Sequence, residues 1–428
     1  MDTDTKRIVV IGAGFAGLWS ALAAARELDQ QHVPADRVEV VVINGTPYHS
    51  IRVRNYEQPL DDTLIPLSDV LDPAGVRWIQ GVVRSIDLSR RQVAIDTGTQ
   101  SQSLGYERLI VAAGSELARP GIAGLREFAF DVDTFQGARK LQDHLLQLPR
   151  LPESAGRLTV VVVGAGLTGV ELAAELPARL RGIVGIAGDN VTDTAGDNAG
   201  NNRRDTVRVI LADRSAKIGQ AMGGAQPVIE AALTAQGVEL LPGVSLEAVT
   251  RDGIVLTGGR RIDAATVVWC GGMRASSLTA QFPVALDPFG RIPVDAFLRV
   301  ESVPGVFAAG DCARILIDGE RPSVMSCQHG RPMGRYAGHN AVCDLLGLAM
   351  LPLRIDWYTT ILDLGPWGAV YTEGWERRLA SQGDDAKETK RTINCVRIYP
   401  PRTKQRDDLL QAAAPVVQAP PYTVRQVL

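Results

Sequence analysis

The stretch Gly12-Ala13-Gly14-Phe15-Ala16-Gly17 follows the apolar run 7–11 and leads into the alanine-rich run 18–25. A second stretch, Gly164-Ala165-Gly166-Leu167-Thr168-Gly169, has the same setting after the apolar run 158–163. Each pattern predicts a buried strand, a glycine turn and a helix. Glycine is needed there because a diphosphate must reach backbone N–H groups at the helix N-terminus, where a side chain would block it. Two such turns predict two dinucleotide sites. The alternative, that both are ordinary glycine turns that arose by chance, explains the repeated pattern poorly.

A polar residue follows the second predicted strand of each unit. Asn44 ends the strand 38–43, at the place where an acidic residue commonly binds the adenosine ribose, and asparagine keeps the hydrogen bond without the charge. Asp213 follows the strand 207–211. Its carboxylate would accept from the ribose hydroxyls and repel a 2′-phosphate, which favours NADH over NADPH. An ordinary aspartate in a strand-end turn is the alternative.

Size and charge limit the classes of function. The chain has 428 residues, of which 45% are hydrophobic, and this length predicts two or three domains. A net charge of -3 argues against nucleic-acid binding. Five cysteines show neither a Cys-x-x-Cys pair nor metal-ligand spacing, so we expect reduced thiols and no metal. The polar start at residues 1–7 and the lack of a long uninterrupted apolar run predict a cytoplasmic protein without a membrane span.

With these motifs the chain resembles the type II NADH dehydrogenases (NADH:quinone oxidoreductases), within the FAD/NAD(P)-binding pyridine nucleotide-disulfide oxidoreductase superfamily. The resemblance covers roughly residues 7–346. It implies an α/β fold with two Rossmann-like domains and a C-terminal segment. The expected divisions are an FAD-binding domain at 1–120 and 283–350, an inserted NADH-binding domain at 121–282 with a mobile insertion at 182–204, and a tail or capping segment at 351–428.

The resemblance also implies which residues bind the two cofactors, FAD and NADH. The element Ala112-Ala113-Gly114 is similar to the family's domain-linking Ala-Thr-Gly, and Asp311 corresponds to the aspartate that bonds the ribityl chain. The residues expected at FAD are Gly12, Gly14, Phe15, Ala16, Gly17, Asn44, Ala113, Gly114, Gly310, Asp311 and Gln328. Those expected at NADH are Gly164, Gly166, Leu167, Thr168, Gly169, Asp213 and Gly272.

Two residues are expected to take part in catalysis. Hydride transfer relies on positioned cofactors and needs no side-chain nucleophile. In the resembling family, a glutamate at the place of Glu171 lies near the nicotinamide and the flavin, where it relays protons or sets the potential; a solvated helix residue is the alternative. Gln328 and His329 would donate to the flavin or to a bound acceptor from a helix predicted at about 327–346, with structural capping as the alternative for His329.

The same helix departs from the family's pattern at the acceptor side. Cys327-Gln328-His329-Gly330-Arg331-Pro332 stands in place of Ala-Gln-x-Ala-x-Gln, so the first glutamine is kept and Pro332 replaces the second. The leading acceptor is a quinone. The alternatives are a small redox protein, dioxygen, or a flavin- and NADH-binding sensor that docks through its tail. The family's amphipathic C-terminal anchor is not evident, and peripheral contact with the inner face of the membrane and a homodimer both stay open.

Overall fold

The computed structural model describes residues 5–189 and 207–421. Within these ranges the chain forms eight α-helices and 24 strands, numbered in chain order. The helices are α1 Phe15–Gln30, α2 Leu125–Phe128, α3 Phe135–Gln147, α4 Leu167–Asp189, α5 Gln226–Ala235, α6 Cys327–Leu346, α7 Asp384–Thr392 and α8 Arg406–Ala412. The strands are β1 Lys6–Ile11, β2 Val38–Asn44, β3 Tyr48–Ser50, β4 Leu64–Pro66, β5 Arg77–Gln80, β6 Val82–Asp87, β7 Gln92–Asp96, β8 Ser101–Gly105, β9 Arg108–Val111, β10 Ser115–Leu117, β11 Thr159–Val163, β12 Arg208–Ala212, β13 Val238–Leu241, β14 Leu246–Thr250, β15 Gly253–Leu256, β16 Arg261–Asp263, β17 Thr266–Trp269, β18 Met273–Ala275, β19 Ile292–Pro293, β20 Val306–Ala308, β21 Ala313–Arg314, β22 Thr359–Asp363, β23 Ala369–Glu373 and β24 Arg378–Gly383.

Two parallel sheets carry the fold, and four strands of the first, β9-β1-β2-β5, follow the same order as β17-β11-β12-β13 of the second. The first runs β20-β9-β1-β2-β5 and the second β13-β12-β11-β17. In each sheet the strand that ends in a glycine turn lies between its two parallel neighbours, β1 between β2 and β9, and β11 between β12 and β17. Both central strands are buried along most of their length, as expected for a parallel sheet covered on both faces. The predicted α/β class with two Rossmann-like units is confirmed.

Helices α1 and α6 pack against each other at glycines. A Cβ atom at Gly334 would lie 2.3 Å from the carbonyl oxygen of Ala16, and one at Gly338 would lie 2.0 Å from that of Ser20. The backbones can approach this closely only where α6 has no side chain. The contact fixes the start of α6, at Cys327, beside the first glycine turn.

The second unit differs from the predicted insertion in one detail. Helix α4 continues to Asp189, so residues 182–189 of the predicted 182–204 insertion are helical. The remaining residues of that prediction lie outside the described residues. The chain crosses between the two units where β10 pairs antiparallel with β18. The domain boundaries at 120/121 and 282/283 stay predictions.

The C-terminal segment is folded. Strands β22, β23 and β24 form an antiparallel sheet, and α7 packs on it. Leu409 and Leu410 of α8 are buried in the core of the first unit, against α1. Across the described ranges, none of the helices combines the length and the apolar character that a bilayer crossing demands.

Candidate active site

The first glycine turn has the shape that a diphosphate requires. Gly12 has φ +96°, and a Cβ there would lie 2.4 Å from the carbonyl oxygen of Ala112. A Cβ at Gly17 would lie 1.8 Å from the oxygen of Gly12, so both positions require glycine. Gly14 faces open space, with no atom within 4 Å of a Cβ. The space in front of the α1 N-terminus therefore fits a phosphate group, as expected at an FAD site.

The second turn repeats this geometry residue by residue. Gly164 has φ +106° and lies against the backbone of Cys270, with which a Cβ would come within 2.8 Å. A Cβ at Gly169 would lie 1.8 Å from the oxygen of Gly164, while Gly166 faces open space. The N-terminus of α4 therefore fits a second diphosphate.

The polar residues at the strand ends brace these turns. Asn44 Oδ1 accepts a hydrogen bond from the Ala13 amide at 2.9 Å. Asp213 does the same in the second unit, where Oδ2 accepts from the Ala165 amide at 2.7 Å and Oδ1 from the Ser215 amide at 2.7 Å. Burial alone would raise the pKa of Asp213, but these backbone amides hold it below its usual value. Asp213 is therefore a carboxylate at neutral pH, and its role at the ribose stays a prediction.

The other predicted FAD residues lie around the first turn. A cavity of about 360 Å³ contains Gly12, Asn44 and Ala113 in its lining. At Gly310, whose φ is +76°, a Cβ would come within 2.6 Å of the Cβ of Ala16. The remaining residues are placed nearby: Gly114 has φ +69° and open space around a Cβ, and Phe15 packs edge-on against His49 at 5.2 Å between ring centroids.

A larger cavity, of about 440 Å³, lies where the two units and the C-terminal segment meet. It brings together six residues that the sequence analysis selected, and these are Gly166, Leu167, Thr168, Glu171, Gly272 and Gln328. The C-terminal segment adds residues that the sequence analysis did not connect with the site. Two of them are Lys390 and Arg397.

Asp311 lies in a polar network beside this cavity. Ser115 Oγ donates to Asp311 Oδ2 at 2.6 Å. Arg52 in turn donates to the Ser115 carbonyl at 3.0 Å and forms an ion pair with Asp133. Burial raises the pKa of Asp311, and the Ser115 hydroxyl and the Arg52 charge oppose that rise. Arg52 and Ser115 could not be predicted as site residues, because neither lies in a recognised motif.

Glu171 is buried and paired. It is 6% exposed, its Oε1 lies 2.5 Å from Lys390 Nζ, and the Asp363 amide donates to the same oxygen at 3.1 Å. The alternative of a solvated helix residue is therefore wrong. Burial raises the pKa of Glu171 to about 7 although Lys390 opposes the rise, and Glu171 in turn raises the pKa of Lys390. The pair can therefore gain or lose one proton near neutral pH, at the carboxyl group, while the ammonium stays charged.

A second ion pair supports the first. Lys387, one turn before Lys390 on α7, lies 2.5 Å from Asp363 and 3.9 Å from Glu175, which is one turn after Glu171 on α4. Two lysines of α7 thus contact carboxylates on α4 and β22. The C-terminal segment is fixed to the second glycine unit at the side of the cavity where Glu171 lies.

Gln328 is bound by the C-terminal segment. In the orientation that satisfies both ends of its amide, Nε2 donates to the Thr359 carbonyl at 2.8 Å and Oε1 accepts from the Thr359 amide at 3.2 Å. Two backbone hydrogen bonds therefore connect the start of α6 to β22. Gln328 lines the cavity, and its contacts in this structure are with the protein backbone. Its predicted contact with FAD stays a prediction.

The residues on either side of Gln328 serve the helix start. Ser326 is the N-cap, and its side chain accepts from the His329 amide at 3.3 Å. His329 is buried, and its Nδ1 accepts a hydrogen bond from the Val324 amide at 2.8 Å, which fixes the orientation of the ring. Burial lowers the pKa of His329 to about 4, which keeps the ring neutral. Burial also raises the pKa of the Cys327 thiol, as expected for an inert thiol.

Comparisons with known proteins agree with this architecture. The family model for pyridine nucleotide-disulphide oxidoreductases matches residues 6–334. An NADH dehydrogenase-like protein from Mycobacterium tuberculosis is 54% identical over 97% of this chain and 100% of its own length. A type II NADH:quinone oxidoreductase from Staphylococcus saprophyticus is 27% identical over 79% of this chain and 83% of its own.

Solved structures show the same fold. NDH2 from Plasmodium falciparum superposes with a TM-score of 0.73 at 13% identity, over 96% of this chain and 97% of that one. The sulfide:quinone oxidoreductase from Aquifex aeolicus superposes with a TM-score of 0.71 at 18% identity, over 94% and 92%. With the two glycine turns and the family match together, the predicted enzyme class and cofactors are confirmed. The chain belongs to the pyridine nucleotide-disulphide oxidoreductase family and is an NAD(P)H oxidoreductase that uses FAD.

Proposed function

We propose that this enzyme oxidises NADH through FAD and passes the electrons to a quinone bound in the larger cavity. The observation that carries the proposal is the composition of that cavity. One wall is the second glycine turn at Gly166, and another is the start of α6 at Gln328. The C-terminal segment supplies apolar side chains, among them Ile361 and Val417. A planar apolar acceptor fits a cavity of this kind.

Support for a quinone as the acceptor comes from relatives of low sequence identity. Staphylococcal proteins named type II NADH:quinone oxidoreductases are 26% to 27% identical to this chain, and a demethylphylloquinone reductase from Synechocystis is 25% identical. These identities are much lower than the 54% of the NADH dehydrogenase-like relatives. The donor half of the reaction therefore has closer support than the acceptor half.

When bound, FAD supplies the redox chemistry, taking hydride from the nicotinamide and releasing electrons to the acceptor. The side chains position the ligands and move protons. Gly12, Gly17 and the α1 N-terminus would hold the FAD diphosphate, and the Asp311 carboxylate would accept from the ribityl hydroxyls. Gly164, Gly169 and the α4 N-terminus would hold the NADH diphosphate.

Glu171 is the residue that we propose for proton transfer. Reduction of a quinone to a hydroquinone consumes two protons, and a carboxyl group with a pKa of about 7 can both donate and regain a proton at neutral pH. Glu171 lines the cavity directly, and Lys390 holds its Oε1 at 2.5 Å. Lys390 is therefore a positioning residue for the Glu171 carboxyl group.

Asp213 supports NADH as the donor over NADPH. Its carboxylate lies at the end of β12 beside the second glycine turn, where it would face the adenosine ribose and repel a 2′-phosphate. Arg214 stands next to it in the chain and would weaken that preference.

The test separates the two half-reactions. Purified enzyme with bound FAD is mixed anaerobically with NADH, and bleaching of the flavin absorbance measures the first half. A second mixing with a quinone, dioxygen or a small iron–sulfur protein measures reoxidation by each acceptor. We expect fast bleaching by NADH and fastest reoxidation by quinone. Absence of bleaching would refute the donor half, and fast reoxidation by another acceptor alone would refute the quinone.

A further inference from the structure

Two buried arginines share one aromatic ring at the start of α6. The guanidinium carbon of Arg331 lies 4.9 Å from the ring centroid of Trp19, and that of Arg335 lies 4.2 Å from the same centroid. Arg331 is 6% exposed and Arg335 2%. The two arginines are one helical turn apart, so their side chains lie on one face of α6.

Neither arginine has an acidic partner among the described residues. Arg331 Nε, Arg335 Nε and Arg335 Nη1 are buried without a hydrogen-bond acceptor. Other buried arginines of this protein are paired, for example Arg54 with Glu57 at 2.7 Å and Arg291 with Asp287 at 2.8 Å. The absence of a carboxylate beside Arg331 and Arg335 is therefore a particular property of this place in the fold.

Both groups carry charge at neutral pH. Burial, together with the neighbouring charge of Arg397, lowers the pKa of Arg331 to about 10. Burial, with the charges of Arg331 and Arg397, lowers the pKa of Arg335 to about 9. His49 nearby adds no further positive charge, because burial lowers its pKa to about 4 and keeps it neutral. A buried charge without a counter-charge destabilises a fold, and a bound anion removes that penalty.

The cluster opens into the larger cavity. Arg331 lines the cavity next to Cys327 and Pro332, and Arg397 reaches the same cavity from the C-terminal segment. Arg335 lies one turn behind, against Trp19. A ligand in the apolar part of the cavity would therefore meet positive charge at one end. The apolar lining suits an aromatic ring, and the arginines suit a carboxylate or a sulfonate on that ring.

We propose that the electron acceptor is an acidic quinone whose anionic substituent pairs with Arg331, with Arg335 adding charge from behind. This inference rests on the proposed function, since it specifies the acceptor of the same cavity. The reaction balances as NADH, a proton and the quinone giving NAD⁺ and the hydroquinone. Both quinone carbonyls become hydroxyls, and the anionic substituent is unchanged.

The first experiment measures binding without turnover. Oxidised holoenzyme is titrated with 2-naphthoate and with 2-naphthamide, which have the same shape and differ in charge, and the change in flavin absorbance or in tryptophan fluorescence is followed. We expect naphthoate to bind at least about tenfold more tightly than naphthamide, as for a hydrogen bond to a charged group. Added salt should weaken the binding of naphthoate. Arg331→Met should remove this preference and Arg331→Lys should keep part of it.

The second experiment measures electron transfer. Enzyme reduced by NADH is reoxidised with 1,4-naphthoquinone and with 1,4-naphthoquinone-2-sulfonate, in the wild type and in Arg331→Met. For each protein, the rate with the sulfonate is divided by the rate with 1,4-naphthoquinone. The value for the variant is then divided by the value for the wild type, and this quotient cancels the difference in reduction potential between the quinones. We expect this quotient to fall about tenfold or more. The matched control is Arg354→Met, which removes another cavity arginine, one already paired with Asp356 at 3.1 Å, and should leave the quotient near one.

The outcomes are distinguishable. An unchanged quotient, with fast reoxidation by both quinones, would overturn the acidic acceptor and leave the quinone reductase intact. Failure of both quinones to reoxidise the wild type would refute the proposed function itself. Loss of FAD from Arg331→Met, with the naphthoate preference retained by the molecules that keep FAD, would assign the arginines to the FAD phosphates and overturn the inference. A variant that does not fold is replaced by Arg331→Lys, for which an intermediate quotient is expected.

Discussion

The exchange Glu171→Gln tests whether a protonated carboxyl group delivers protons to the acceptor. The pKa of Glu171 is raised to about 7 by burial. The carboxyl group is therefore about 90% protonated at pH 6 and about 10% protonated at pH 8, because each pH unit changes the ratio tenfold. Reoxidation of the reduced enzyme by quinone should accordingly be fast below pH 7 and fall about tenfold per pH unit above it.

In Glu171→Gln this pH step should disappear, since the amide cannot titrate. The rate on the acidic side should fall by about 10²–10⁴-fold, the usual contribution of a general acid. The amide still offers an oxygen to the Asp363 amide and to Lys390, which limits the structural change. Stopped-flow flavin absorbance from pH 5.5 to 8.5 measures both effects, and a circular-dichroism melt confirms the fold.

The matched control is Glu175→Gln, one turn along the same helix. Glu175 pairs with Lys387 at 3.9 Å and is not part of the cavity lining, so its loss should leave the pH step in place. The role of Glu171 as a proton donor is refuted if Glu171→Gln retains a step near pH 7, or if both variants slow reoxidation equally. Either result would assign Glu171 a structural role in fixing α7.

Three further outcomes follow from the geometry. Gly17→Ala should not yield folded protein, because the new Cβ would lie 1.8 Å from the Gly12 oxygen, whereas Gly14→Ala should fold but bind FAD more weakly, which equilibrium dialysis of FAD would measure. Asp213→Asn should reduce the ratio of kcat/KM for NADH over NADPH by about tenfold, since it removes the charge that repels a 2′-phosphate, and steady-state kinetics with both donors would check it. Gln328→Leu should lower the free energy of unfolding by about 1–3 kcal/mol in a urea titration, because both backbone groups of Thr359 lose their side-chain partner. An unchanged urea midpoint for Gln328→Leu would show that these two hydrogen bonds do not hold β22 against α6.

Local patterns in the sequence predicted much of the fold and both glycine turns. The glycine turns, the strands before them and the helix at Cys327–Leu346 agree with the structure because each depends on residues adjacent in the chain. Asn44 and Asp213 could be found for the same reason, since each follows the strand next to its turn. The brace that each forms with a turn amide could not, because it requires the three-dimensional position of the side chain.

The acceptor side could not be predicted, because its residues come together from distant parts of the chain. Glu171 and Lys390 are 219 positions apart, and Lys390 lies in a polar stretch that by itself predicts a solvated helix. No local pattern predicts that the Gln328 amide bonds both backbone groups of Thr359. Arg331 and Arg335 gave no signal either, since burial of a charge without a partner is visible only once α1 and α6 are packed.

The close contact between α1 and α6 sets an order of events during synthesis. Helix α1 is complete at Gln30, but the face of α1 at Ala16 and Ser20 is covered only when Gly334 and Gly338 arrive, about 300 residues later. At usual translation rates this interval is roughly 15–60 s. The second sheet, whose strands lie between Thr159 and Trp269, can form within that time. The nascent chain therefore carries an uncovered apolar helix while its second unit folds, and chaperone binding to α1 is expected during this interval.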